Sequence, residues 1–406
     1  MWLNQGKWQV NPLNFSDEVR RDYEARPEIF MLDSTIRNMT AIPGSRWDVS
    51  GAVAMATLAA EIGVRIIEID VVHGTQPPTP QVMEMFRKIR DVPRQRMKVF
   101  GSAWARKDSV DQVLDAGADG VIIEPDPVAV FRELAAYARS RGALVATTLG
   151  GRIEHMAPPE AAARLDRIVD LELAYVSIHE NTNATVPEAW RYYLRTLLRL
   201  LVKPIDLVPH LHNNFGLGTA AAVAAVTGGA AGIDAAMNGL GIHAGLAALD
   251  EVVVALEILY GVRTGIDLSR LTEYSRLAAE VSGIPVHPYK PMVGDYAFVA
   301  ELDPFVRSVL EMRGHGHERV HPIAPSLVGN RWTPFWGVNT LAESSATALK
   351  LAQLRLPHDE ASVALARREL SEAIKAKTEG SLALAEHEVE TILTRMTFKN
   401  IPGTGA

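Results

Sequence analysis

Residues 208–218 read Val208-Pro209-His210-Leu211-His212-Asn213-Asn214-Phe215-Gly216-Leu217-Gly218. An apolar run ends in two histidines, two carboxamides and a glycine turn, and an alanine-rich stretch with helical character, Leu217–Gly228, follows. The pattern is strand, turn, helix. Side chains two apart on a strand share a face, so His210 and His212 present two imidazoles to one side. Paired imidazoles suit a divalent cation; the plainer alternative is a solvated strand end.

The same unit recurs on both sides of this stretch. Strands are expected at Ile29–Asp33, Arg65–Asp70, Met97–Ala103, Gly120–Glu124, Ala143–Thr148, Tyr175–His179, Leu207–His212 and Ile233–Asn238. Helical stretches separate them at Val49–Ile62, Pro80–Ile89, Asp108–Ala116, Pro127–Arg141, Pro158–Asp170, Val186–Leu201 and Leu217–Gly228. Turns such as Ala116-Gly117-Ala118 close the helices, where glycine takes positive φ. Eight such units over roughly 240 residues have the count and length of a (β/α)8 TIM barrel. An open doubly wound sheet would rarely need eight such regular repeats.

The expected organisation is an N-terminal arm over residues 1–28 and a barrel over 29–284. A linker subdomain rich in Pro, Gly, His and Trp follows over 285–340, and a C-terminal helical subdomain, read as a hairpin, over 341–406. Helical periodicity in the last part covers Leu341–Leu354 and Asp359–Arg395. The arm is expected to pack across the barrel or onto a partner subunit. The net charge of −7 and the lack of long basic runs argue against nucleic acid as the main partner. Zero cysteines exclude disulfides, thiolate metal sites and a cysteine nucleophile. Met1–Arg21 is mixed and polar, without a leader pattern, and the apolar helices are short. A cytoplasmic protein without a membrane partner is the expectation.

Active sites of such barrels lie at the C-terminal ends of the strands. Here those ends are polar. The first supplies Asp33, Thr35, Arg37 and Asn38; the second Glu68, Asp70 and His73; the third Ser102 and Trp104. The fourth supplies Glu124 and Asp126, the fifth Thr147, Thr148 and Arg152, and the sixth Ser177, His179, Glu180 and Asn181. His210 and His212 end the seventh, and Asn238 with His243 the eighth. A cation flanked by Arg37 and carboxylates suits carbonyl chemistry, because it chelates an oxo acid and stabilises an enolate. Arg37 is read as holding a carboxylate or an oxyanion, or alternatively as an ion pair with Glu68. Thr35, Asp70, Thr148, Asn214, Asn238 and His243 are the candidate substrate-binding residues.

Leu32-Asp33-Ser34-Thr35-Ile36-Arg37-Asn38 resembles the D-x-T-L-R-D opening of the DRE-TIM metallolyases. That group holds the isopropylmalate, homocitrate and citramalate synthases and hydroxymethylglutaryl-CoA lyase. Ile66-Ile67-Glu68 is similar to its second-strand glutamate motif, residues 210–217 to H-x-H-N-D-x-G-L, and residues 238–241 to N-G-[IL]-G. Residues 290–294 and 326–329 resemble the linker of the synthases, and the helical C-terminus resembles the synthase branch. The resemblance implies metal ligands at His210 and His212, acyl-CoA as co-substrate, an oxo or hydroxy acid as small-molecule substrate, and a homodimer.

Several positions depart from that pattern. The ligand aspartate falls on Asn38, the ligand asparagine on Leu246, and the acid after the two histidines on Asn214. The linker histidine that serves the synthases as acid/base falls on Phe305. Loss of an anionic ligand weakens a Mg²⁺ site most, and two imidazoles suit Zn²⁺ or Mn²⁺ better. His179 and His243 are candidate replacement ligands; His179, Glu180 and Glu68 are candidate replacement bases, with Arg37 as the fourth catalytic candidate. Three readings remain: a divergent metal-dependent carbon–carbon bond enzyme, synthase or lyase; a hydrolase or isomerase on the same barrel; and a protein that keeps the fold only.

Overall fold

The computed structural model describes residues 2–4, 6–69, 79–94, 96–149, 153–180, 182, 184–311, 321–377 and 382–396. Eight parallel strands close into a barrel: β1 Phe30–Asp33, β2 Ile66–Ile69, β3 Lys98–Ala103, β4 Gly120–Ile123, β5 Leu144–Leu149, β6 Val176–Glu180, β7 Leu207–Leu211 and β8 Gly232–Ala235. Each strand pairs with its neighbour in sequence, and β8 closes on β1 with Gly232 beside Phe30 and Ala235 beside Asp33. The expected barrel is the observed one, and strand starts agree within a residue or two.

Alternation along the strands builds the interior in layers. The floor is apolar: Leu32, Ile66, Phe100, Ile122, Ala146, Tyr175 and Val208 pack as one buried cluster. Its aromatic rings need room, and Gly120 supplies it, because a Cβ there would sit 2.4 Å from the Phe100 ring. Two residues further along each strand, the inward positions are Glu68, Ser102, Glu124, Thr148, Ser177, His210 and Asp234. Charge therefore begins one layer above the floor, where the barrel opens.

Outside lie α1 Thr35–Met39, α2 Val49–Ile62, α3 Pro80–Arg90, α4 Lys107–Ala116, α5 Val128–Ser140, α6 Pro158–Leu165, α7 Pro187–Leu200, α8 Gly218–Thr227, α9 Leu249–Val254 and α10 Leu271–Ser282. Gly117 ends α4 at φ 104°, as the turn pattern predicts. The short α1 was not expected, since Arg37 and Asn38 were placed on a strand end. Asp33 starts it by accepting a hydrogen bond from the Thr35 backbone N–H at 2.8 Å, and Thr35 Oγ donates to the same oxygen. At the other end of the barrel sequence, β8 stops earlier than predicted, and Asn238 sits in a 3-10 turn at φ 61°.

Residues 11–287 form one compact unit, and residues 3–10 with 288–406 form another. In the second unit, Gln9 donates its backbone N–H to Pro322 O at 2.8 Å, and Ala324 donates to Lys7 O at 2.8 Å. The expected arm is thus divided, with Leu3–Val10, which holds the short strands Leu3–Asn4 and Trp8–Gln9, belonging to the C-terminal unit. That unit carries α11 Asp303–Glu311, α12 Ser345–Gln353, α13 Glu360–Lys375 and α14 Glu386–Arg395 around buried Trp336, Leu351, Leu370 and Val389. The predicted stretch Asp359–Arg395 is two helices rather than one. Between them Ala383–Leu384 pairs antiparallel with Trp336–Gly337. No described helix is long and apolar enough to cross a membrane.

Candidate active site

Helix α1 carries Arg37 to the barrel mouth, where its guanidinium donates to Glu68 Oε2 at 2.8 Å. The other carboxylate oxygen, Oε1, accepts from Tyr175 Oη at 2.9 Å, so Glu68 is held from above and from the floor. Only 3% of the Glu68 side chain is exposed. Burial pushes its carboxyl up to about 7, against the opposing pull of the Arg37 charge. A carboxyl poised near neutrality is suited to moving a proton.

Four imidazoles stand in ring contact beside this pair. His179 stacks on His210 at 4.5 Å between centroids, His210 meets His212 edge-on at 5.1 Å, and His212 meets His243 at 5.3 Å. His210 Nδ1 lies 2.5 Å from Asp234 Oδ2, whose partner oxygen accepts from Ser34 Oγ at 2.5 Å. With Nδ1–H donated to Asp234, the His210 lone pair falls on Nε2. Burial lowers His179 and His210 and raises Asp234, so the barrel keeps these imidazoles neutral. His212 is pushed down to about 4, by burial first and then by its histidine neighbours.

Other expected site residues are used by the fold. Glu180 follows inward-facing His179 and so points outward: its carboxylate accepts from Ala184 N at 2.6 Å and from Trp190 Nε1 at 3.3 Å. It is a buried anchor for the segment leading into α7, which corrects its assignment as a base. Thr35 is fully buried and bonded to both Asp33 and the Met237 backbone N–H, so it offers a substrate nothing. The Asn238 amide donates to Ser275 O at 2.9 Å and accepts from Ser275 Oγ at 2.5 Å, which ties the 3-10 turn to α10. Asn214 links Thr182 O at 3.1 Å to Ala244 N at 3.4 Å. Thr148 does face the opening, 3.4 Å from Glu124 Oε2, and His243 is exposed at φ 57°. Asp70, His73, Arg152 and Asn181 lie outside the described residues. Sequence reasoning missed Tyr175 and Asp234, although each is a polar residue at an inward position of an apolar strand.

A divalent cation at this mouth would draw first on the imidazoles. His210 Nε2 is available, and His212 Nδ1 is buried without a hydrogen-bond partner in the described structure. The oxygen half of the set is reduced to the neutral carbonyl oxygen of Asn38. Asn38 turns its amide nitrogen back onto Ser34 O at 2.8 Å, and Leu246 is an apolar, buried side chain bridged through its backbone to His212. Among the described residues no three His, Cys, Asp or Glu side chains converge as a metal site. The residues present therefore do not fit the expected cation, since two nitrogens and one neutral amide oxygen lack the anionic oxygen ligand of the family pattern.

A closed barrel with a buried ionisable cluster at its mouth is the architecture of an enzyme that works at strand ends. The profile of the HMGL-like family matches residues 28–278, and the chain belongs to that family and to the DRE-TIM metallolyase superfamily. It is 30% identical over 331 residues to a protein named putative (R)-citramalate synthase CimA from Methanopyrus kandleri, covering 77% of this chain and 63% of that one. The chain thus spans less than two thirds of that relative. Homocitrate synthase AksA of the same organism is 29% identical, over 93% of this chain and 94% of its own length. Among solved structures, hydroxymethylglutaryl-CoA lyase from Pseudomonas aeruginosa superposes with a TM-score of 0.56 at 17% identity, over 64% of this chain and 95% of that one. That similarity is one of fold.

Proposed function

We propose that the protein makes or breaks a carbon–carbon bond in a 2-oxo acid, with or without an acyl thioester, through an enolate. The observation that carries this reading is the chain Tyr175–Glu68–Arg37 opening beside neutral His179 on a cavity of about 210 Å³. Arg37 is a permanently charged donor for a carboxylate or developing oxyanion. Glu68 takes the proton from the carbon next to a carbonyl. The resulting enolate attacks the second carbonyl, whose oxygen His179 polarises as a neutral N–H donor. The new alkoxide then recovers the proton from Glu68, and where the enolate came from an acyl thioester, water adds to the thioester carbonyl and the carbon–sulfur bond breaks to give a carboxylate and free thiol. The same steps in reverse cleave a 2-hydroxy acid. No step runs through a cation.

Relatives named as synthases support the forward direction. Phe305 in place of the synthases' linker histidine leaves Glu68 and His179 to carry the proton transfers in either direction. The reading includes a cytoplasmic homodimer, which light scattering tests. Thiol release from acetyl-CoA with a panel of 2-oxo acids, and loss of 2-hydroxy acids, test the two directions. Arg37→Ala and Glu68→Gln should abolish either activity. A folded parent that turns over neither panel sinks the proposal.

A further inference from the structure

The cavity over Arg37 and Glu68 does not end at the barrel mouth. Its wall residues Glu124, Thr148 and His179 also line a larger cavity of about 610 Å³, so the two lobes meet along those three side chains. The first lobe suits the reacting end of a small oxo acid. The second is much larger than any remainder of such an acid and lies in the size range of sites for extended ligands.

The larger lobe is polarised. Glu124 and Asp126, which follow β4, line it, and Glu124 is shared with the lobe over the reaction centre. Arg164 at the end of α6, Arg167 just beyond it, and apolar Leu165 and Ile168 line the larger lobe and not the smaller one. Arg164 is already paired, with Glu160 at 3.0 Å. Arg167 has no ion-pair partner among the described residues. An anion entering this lobe is repelled by the carboxylate shared with the reaction centre and attracted by the arginines that line the larger lobe alone, which favours an elongated ligand with its anionic end in the larger lobe.

We propose that the larger lobe receives an anionic tail, carboxylate or phosphate, of the molecule whose reacting end lies over Arg37 and Glu68, and that Arg167 recognises it. The proposal rests on the reading of the mouth as the reaction centre. It makes Arg167 a specificity residue: it selects among substrates and leaves the bond-making groups untouched. A guanidinium engages either anion through paired N–H donors. The tail belongs either to the oxo acid itself or to the phosphates of a thioester carrier.

Isothermal titration calorimetry on the full chain separates the two sources. The probes are 2-oxoglutarate, 2-oxobutyrate and inorganic pyrophosphate, each against the parent, Arg167→Ala and Arg167→Lys. If the acid supplies the tail, the parent binds 2-oxoglutarate about tenfold tighter than 2-oxobutyrate, and Arg167→Ala erases the difference while Arg167→Lys keeps part of it. If a carrier supplies it, pyrophosphate binds the parent about tenfold tighter than Arg167→Ala, and the two oxo acids bind alike. Equal affinities in parent and Arg167→Ala for every probe, or no binding of 2-oxoglutarate or pyrophosphate, overturn the proposal. Calorimetry needs no turnover. Arg167-dependent binding without carbon–carbon activity would therefore sink only the proposed function, and turnover with Arg167-independent binding would sink only this one.

Discussion

Tyr175, from the apolar floor of the barrel, donates its hydroxyl to Glu68 Oε1 at 2.9 Å, opposite the oxygen that Arg37 holds at 2.8 Å. The bond favours the ionised carboxylate and so pulls against burial. Tyr175→Phe should raise the Glu68 carboxyl further. The acid limb of the rate profile then moves up by about half to one pH unit, the equivalent of about 1 kcal/mol. A uniform loss of rate with an unshifted limb would show that Tyr175 only fills space.

Glu68 also links stability to pH. Its carboxyl lies at about 7 in the folded protein against 4.5 as its ordinary value, so the folded state binds the extra proton between those limits. The contribution of Glu68 to stability is therefore greatest below about pH 4.5 and declines as pH rises through 7. Glu68→Gln should match the parent near pH 4.5 and exceed it by up to about 3 kcal/mol at pH 8. Paired denaturant melts at both pH values measure this, and the histidines common to both chains cancel. A parent that gains on the variant as pH rises would reverse the sign.

Metal content follows from the donor set. Purified protein should carry well under one equivalent of Zn²⁺ or Mn²⁺ per chain, and chelation should leave both Tm and turnover unchanged. Restoring oxygen ligands with Asn38→Asp and Leu246→Asn together should create binding that His210→Ala removes. Stoichiometric metal in the parent, lost on His210→Ala, would contradict the structural reading.

Glu180 should matter to folding and not to chemistry. Glu180→Ala leaves Ala184 N and Trp190 Nε1 without their acceptor, at a cost of about 1–3 kcal/mol. Substrate affinity in the surviving folded fraction should be that of the parent. A fall in kcat without a fall in stability would return Glu180 to the chemistry.

The barrel was legible because period-two strands and glycine-ended helices are local properties. Arg37 and Glu68 were legible for a similar reason: each is an ionisable residue at or just after a strand end, although Arg37 lies on the unexpected α1. Glu180 was misread by one residue of register, since the alternation that turns His179 inward turns its neighbour outward. Thr35 and Asn238 were misread because their partners, Met237 and Ser275, are distant in sequence. Asp234 was passed over inside a strand judged apolar, although it orients His210. The break between α13 and α14 escaped detection because helical spacing continues on both sides of a two-residue strand paired with distant Trp336–Gly337.

Residues 3–10 and 288–406 share one unit, whereas all eight barrel strands lie in one uninterrupted segment, residues 11–287, of the other. During synthesis the barrel sequence is therefore complete before its companion has more than Leu3–Val10. Lys7 and Gln9, made before the barrel, wait for Pro322 and Ala324 to emerge. A gene fragment ending near residue 287 encodes a contiguous barrel, but no single fragment that omits the barrel encodes the other unit. Joining residue 10 to residue 288 through a short linker is the form in which that unit can be produced alone.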